Sequence, residues 1–259
     1  MTRPVFKNPL LEKEFSNADV IVFDLNGLIV DDEPLQRKAS NKALKALFEE
    51  TGDAPQINDE QWGSICVGHP SEAWLPNILK RTLPEDKQKL FRAEKRAAYL
   101  ELMRKEAKSI VREGFLDLVD AAEKQNKKRA IVTSSAPDVV AAVLGQGGLD
   151  VLDKFDIIVN AEQVKKKKPD PEGYLMVKNH FGQNLSYLVF EDSKAGVDAA
   201  FNAGMSCFAV PNRYTLDHDL SNATAIIDSM GRDATVIANF PHARPTPVSK
   251  NNALTNTPH

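Results

Sequence analysis

The sequence predicts an α/β fold, a doubly wound (Rossmann-like) parallel sheet into which a small all-helical domain is inserted. Three observations carry this. Five short apolar runs, VIVF (20–23), AIVT (130–133), DIIV (156–159), YLVF (187–190) and CFAV (207–210), show no polar alternation. Uninterrupted apolar runs of this length suit strands covered on both faces. The segments between the last four are each long enough for one helix, as a parallel sheet requires. The gap after the first run is too long for one crossover and contains no comparable strand.

Taken in order, VIVF opens the sheet and is followed at once by acidic residues, Asp24 and the pair Asp31 and Asp32. The gap then begins with PLQRKASNKALKALFEETG, which places Leu44, Leu47 and Phe48 on one helical face, with Gly52 as its stop. QWGSICVGHPSEAWLPNIL reads as a turn and a short helix, with Trp62 and Trp74 in the core of the insertion. Residues 85–108 form a long helix whose dense mixed charge suits a solvated face. An insertion of this size needs packing of its own, because long structureless loops are rare in compact domains. Beyond it, AAVLGQGGL, YLMVKNHFG and AGVDAAFNAG carry apolar residues at helical spacing, with glycines near their ends. The boundaries expected are a core over 15–32 and 110–232, a helical cap over 33–109, and a flexible tail over 233–259 rich in Pro, Asn and Thr.

Composition excludes several classes. Apolar residues make up 42% and charged residues 27%, an ordinary globular balance. The net charge of −3 gives no basic field for nucleic acid or acidic membranes, apart from the local run Lys165 to Lys168. The two cysteines, Cys66 and Cys207, lack metal-ligand spacing and fit a reducing compartment. With no apolar stretch suited to a signal or a membrane span, the expected setting is cytoplasmic, the expected state a monomer, and the expected partner a small molecule.

Ligands of open α/β sheets lie beyond the carboxyl ends of the strands. After the first run stand Asp24, Asn26 and Gly27; after the second, Thr133, Ser134 and Ser135; after the third, Lys168; after the fourth, Glu191 and Asp192. Carboxylates that hold Mg²⁺, with hydroxyls and an ammonium for phosphate oxygens, suit phosphoryl transfer. One carboxylate can also serve as the nucleophile. Each feature has a plainer reading. Thr133 and Ser134 can belong to a loop, with Ser135 to Asp138 capping the next helix. Glu191 and Asp192 can favour the start of the helix near Ser193. Lys165, Lys166 and Lys167 fit a solvated loop, whereas Pro169 and Pro171 fix the chain just after Lys168 and aim it inward. His69 suits packing better than catalysis.

Four segments together resemble the motifs of the haloacid dehalogenase superfamily: DLNGLIVDDEPL, IVTSS, KPDPEGYL and VFEDSKAGVDAAFNAGM. Their order and spacing match over about residues 18–230, and the insertion looks like the C1-type cap of the subgroup with beta-phosphoglucomutase and sugar-phosphate phosphatases. The resemblance implies Asp24 as nucleophile and Mg²⁺ ligand, and Asn26 at the general acid/base position with its backbone carbonyl toward the metal. It implies Thr133 and Ser134 as phosphoryl ligands, Lys168 bridging Asp24 and the phosphoryl group, and Asp192 with Glu191 at the metal. That subgroup usually holds Asp where this chain has Asn26. An amide cannot protonate a leaving alkoxide, so acid/base help of about 10²–10⁴ in rate is expected to be missing. Restoring Asp at 26 is expected to recover it, and His69 or Asp31 stand next as proton sources.

The reading is therefore an impaired Mg²⁺-dependent phosphatase of a sugar or polyol phosphate, working through an aspartyl-phosphate. The alternatives are a phosphate-binding protein that has lost turnover, and a phosphomutase. Ser71 argues against the mutase, which carries an arginine three residues after the cap-loop glycine, here Gly68.

Overall fold

The computed structural model describes residues 4–67 and 71–240. Seven strands form one sheet: β1 (Val20–Phe23), β2 (Lys128–Val132), β3 (Ile157–Val159), β4 (Tyr187–Glu191), β5 (Ser206–Ala209), β6 (Ala225–Ile227) and β7 (Val236–Asn239). Their spatial order is β3-β2-β1-β4-β5-β6-β7, parallel except for the antiparallel β6–β7 pair. The five predicted runs are the first five strands. β1 lies between β2 and β4, with Val22 opposite both Ala130 and Val189, so the loops after β1, β2 and β4 leave the same edge side by side.

The pleat explains why these runs are apolar throughout. Ile21, Phe23, Ile131, Leu188 and Phe190 face one core, whereas Val20, Val22, Val132, Tyr187 and Val189 face the other. The first is closed by α1 (Pro9–Asn17), α6 (Phe115–Lys124) and α7 (Pro137–Leu144), the second by α8 (Glu172–Phe181) and α9 (Lys194–Asn202). Phe23 anchors the first core, stacked on Phe190 at 5.5 Å and edge-on to Phe115 at 5.5 Å.

Between β1 and α6 lie α2 (Glu33–Leu47), α3 (Asp59–Gln61) continuing into a π-turn (Trp62–Cys66), α4 (Ser71–Leu79) and α5 (Glu85–Glu106). They share an apolar cluster of their own, with Leu44, Trp62, Trp74 and Phe91 buried in it. Trp74 packs edge-on against Trp62 at 6.1 Å and against Phe91 at 5.6 Å. The chain leaves and re-enters the sheet unit by paired strands of backbone: Arg112 N–H donates to Ile29 and Asp31 N–H to Ile110.

Three expectations need correction. The segment from 233 is not all tail, since β7 completes the sheet; residues 241–259 lie outside the described residues. The core begins before residue 15, because Phe6, Leu11 and Phe15 are buried in it. Helix α5 is more than a solvated face: Phe91, Tyr99 and Met103 are buried along it. His69 and Gly68 lie outside the described residues.

Candidate active site

Asp24 follows β1, Glu191 ends β4 and Asp192 follows it, so neighbouring parallel strands deliver three carboxylates to one point. One oxygen from each lies within 4.8 Å of the others, and all three residues are buried. Lys168 reaches in from the loop before α8 and commits its ammonium to Asp24 Oδ1 (2.6 Å), Glu191 Oε1 (2.7 Å) and the Val132 carbonyl (2.8 Å). One ammonium thus serves three carboxyl groups in a site closed to bulk water. Burial, with Glu191 adding to it, pushes Asp24 up to about 7 in spite of Lys168. Burial and the neighbouring carboxylates of Glu191 and Asp24 likewise hold Asp192 well above the usual carboxylate range. Burial disfavours the Lys168 ammonium, but the two carboxylates outweigh it and hold its pKa well above normal.

Glu191 is the most confined of the three. Its Oε2 accepts from the N–H groups of Asp192 (2.8 Å) and Ser193 (3.0 Å), and from the Ser193 hydroxyl (3.1 Å). Gly196 makes room for it: a Cβ there would stand 1.6 Å from Glu191 Oε1. Ser193, not the acids, caps α9 by accepting from Gly196 N–H. Asp192 Oδ2 accepts from Asn212 Nδ2 at 2.9 Å, and Gly27, at φ +83°, leaves room for it, since a Cβ there would stand 2.4 Å from that oxygen.

Asn26 is also fully engaged. Its Nδ2 donates to Asp32 Oδ2 (2.9 Å) and to the Tyr99 hydroxyl (2.9 Å), and its Oδ1 accepts from Ser135. Asp32 is buried and ringed by donors: Tyr99 at 2.6 Å, Gly27 N–H at 3.1 Å and Gln36 at 3.2 Å. Burial raises its pKa while those hydrogen bonds lower it, with a net upward shift. Thr133 is buried, its N–H paired with Val159 and its Oγ1 accepting from Ser135 N–H at 3.0 Å. Thr133 and Ser134 line a small cleft together with Lys168 and Tyr174. A larger cleft, about 460 Å³ beside α6 and Arg232, shares no residue with this site.

An oxygen-only donor set of buried carboxylates, under-neutralised by one lysine, fits a hard divalent cation. The family model of haloacid dehalogenase-like hydrolases matches residues 18–204. The chain belongs to that hydrolase family. Among its relatives, YhcW of Bacillus subtilis (strain 168) is 31% identical over 75% of this chain and 84% of that one. The phosphorylated carbohydrates phosphatase of Thermotoga maritima is 27% identical, covering 82% of this chain and 91% of that one. The crystal structure of CbbY from Rhodobacter sphaeroides in complex with phosphate aligns at a TM-score of 0.67 and 23% identity over 82% of this chain and 95% of that one, which speaks to the fold alone.

In this haloacid dehalogenase-like chain the predicted residues Asp24, Asn26, Thr133, Ser134, Lys168, Glu191 and Asp192 all stand at the carboxyl edge of the sheet. Lys165, Lys166 and Lys167 are exposed, and the last two line the rim of the small cleft that holds Thr133, Ser134 and Lys168. No hydrogen bond among the described residues joins Asp31 to Asn26; its neighbour Asp32 makes that contact. Ser135 does not cap α7, whose start has no side-chain cap, but donates to Asn26 instead. Tyr99, Asp32 and Asn212 were not foreseen as site residues. Asn212 was within reach, since it follows the fifth apolar run as Asp24 follows the first. Tyr99 gave no such signal, because its contact spans 73 residues.

Proposed function

We propose that this chain is a Mg²⁺-dependent phosphatase of small phosphorylated metabolites, sugar or polyol phosphates, working through a phosphorylated Asp24. The observation that carries the reading is the Asp24–Glu191–Asp192 cluster bridged by Lys168 at 2.6–2.7 Å. The names of its relatives support the substrate class, among them a phosphorylated carbohydrates phosphatase and a validoxylamine A 7'-phosphate phosphatase of Streptomyces hygroscopicus subsp. limoneus, 28% identical.

Asp24, Asp192 and the backbone carbonyl of Asn26 would hold Mg²⁺, with Glu191 bracing them. When bound, Mg²⁺ neutralises phosphoryl oxygens and keeps Asp24 and Asp192 ionised. Asp24 attacks phosphorus through the oxygen not held by Lys168, and the bond to the leaving oxygen breaks. Thr133 and Ser134 orient the phosphoryl group, and Lys168 offsets charge that develops on it. Water then attacks the phosphorylated Asp24 and frees phosphate. Both steps want a proton carrier at 26, and Asn26 supplies only a fixed amide.

That engagement of Asn26 favours a second reading, a phosphate binder whose turnover has been lost. An aryl phosphate separates the two, because its leaving group departs without a proton. Mixed with p-nitrophenyl phosphate and Mg²⁺, the protein is expected to release a burst of phenolate and to gain one phosphate in mass on Asp24. Asp24→Asn should abolish both. Absence of any burst or added mass in the unaltered protein would favour the binder.

A further inference from the structure

The loop after β5 reaches three places at once. Asn212, buried, donates its Nδ2 to Asp192 Oδ2 at 2.9 Å, while its Oδ1 accepts from Tyr214 N–H at 2.9 Å. Its own N–H is fixed by Thr215 Oγ1 at 2.9 Å. Two residues on, the Tyr214 hydroxyl donates to Asp59 Oδ1 at 2.9 Å, and the Arg213 guanidinium donates to the same oxygen at 3.0 Å. Asp59 opens α3 of the helical insertion, and the Tyr214 ring packs against the insertion's own apolar cluster. Gly63, at the π-turn, lets it lie close: a Cβ there would meet the ring at 3.3 Å. Arg112, where the chain re-enters from the insertion, ties the base of the loop, donating to the carbonyls of Val210 (2.7 Å), Pro211 (3.0 Å) and Gly27 (2.7 Å).

We infer that Asn212 is a positioning residue for the carboxylate of Asp192, and that Tyr214 links this placement to the helical insertion, so that affinity for a divalent cation depends on how the insertion is seated. The inference rests on the proposed role of Asp192 at Mg²⁺. One Asp192 oxygen is occupied by Asn212, which fixes the carboxylate's rotation and leaves the other oxygen to a cation. Groups that orient metal ligands in this way are typically worth about 10- to 100-fold in metal affinity. Tyr214 acts at one remove, through a half-exposed carboxylate, and contacts of that kind are worth roughly two- to fivefold at most. Linkage is reciprocal, so the cation must hold the insertion in place by the same factor.

The test uses the full chain, titrated with MgCl₂ from an EDTA-treated start, and follows both thermal stability and tryptophan emission. Both tryptophans, Trp62 and Trp74, belong to the insertion, so emission reports on it and not on Asp192. The unaltered protein should gain stability and shift its emission over one range of Mg²⁺. Asn212→Ala should move the stability midpoint to about 10- to 100-fold higher Mg²⁺. Tyr214→Phe, which removes only the hydroxyl, should move it by roughly two- to fivefold and weaken the emission change. Midpoints unchanged in both variants would overturn the inference while leaving Mg²⁺ binding intact. A stability shift with no emission change in the unaltered protein would overturn the link to the insertion. No Mg²⁺ response at all in the unaltered protein would overturn the metal reading itself, and this inference with it.

Discussion

At position 26 stands an amide where the proposed reaction would call for a proton carrier, and a carboxylate stands behind it. The amide of Asn26 stands in the loop after β1, and the carboxylate of Asp32 stands 2.9 Å behind it, fed by Tyr99, Gln36 and Gly27 N–H. A single Asn26→Asp change would set two buried carboxylates in contact. Like charges near 4 Å repel by about 4 kcal/mol even at an effective dielectric of 20, so the pair would share one proton between them and turn it away from the substrate. On this geometry Asp at 26 alone should not suffice. The exchange Asn26→Asp with Asp32→Asn keeps one amide facing one carboxylate and should raise turnover of alkyl phosphates by about 10²–10⁴. The single variant should fall at least tenfold short of it. Equal rates for the single and double variants would show that Asp32 does not constrain position 26.

Elements differ in how plainly the sequence announces them, and the reason is burial. β1 is apolar end to end, and β4 is so up to its final Glu191, because both faces are covered, so they read directly as strands. β7 alternates half-buried with exposed positions over four residues and sits at the sheet edge, where no such run is imposed. β6 escaped notice as well. The same logic governs the site. Residues that follow β1, β2 and β4 were legible from topology, whereas Asn212 after β5 was passed over and Tyr99 projects from α5, whose amphipathic pattern is faint under its charges. Since β7 shields β6 and Val236 packs on the core, ending the chain after Thr235 should lower the melting temperature by on the order of 5 °C. An unchanged melting curve would mean that β7 adds nothing to the sheet.

Across the whole molecule, buried carboxyl groups set how stability follows pH. Burial, with Glu191 beside it, pushes Asp24 from 3.8 to about 7, and burial, with Asp32 beside it, pushes Glu33 from 4.5 to about 7. Burial also holds Asp192 well above its ordinary 3.8. A carboxyl raised on folding binds more protons in the folded than in the unfolded chain between the two pKa values. Stability then falls as pH rises through that window, from the ordinary value up to the folded one. Lys168 stays charged throughout and does not alter the sign. In EDTA, therefore, the melting temperature should decline from about pH 5 to pH 8. At the proposed metal site Mg²⁺ would bind the ionised forms of Asp24 and Asp192, so a saturating concentration should remove their share of the decline. Glu33 lies outside the cluster, with its Oε2 accepting from Trp62 Nε1 at 2.8 Å, and its share should persist in Mg²⁺. Glu33→Gln keeps an acceptor for that indole and cannot ionise, so in Mg²⁺ this variant should give the flattest profile of all. Parallel declines with and without Mg²⁺ would remove the cluster from metal binding. A Glu33→Gln profile identical to that of the unaltered protein would mean that Glu33 titrates as a solvated carboxylate.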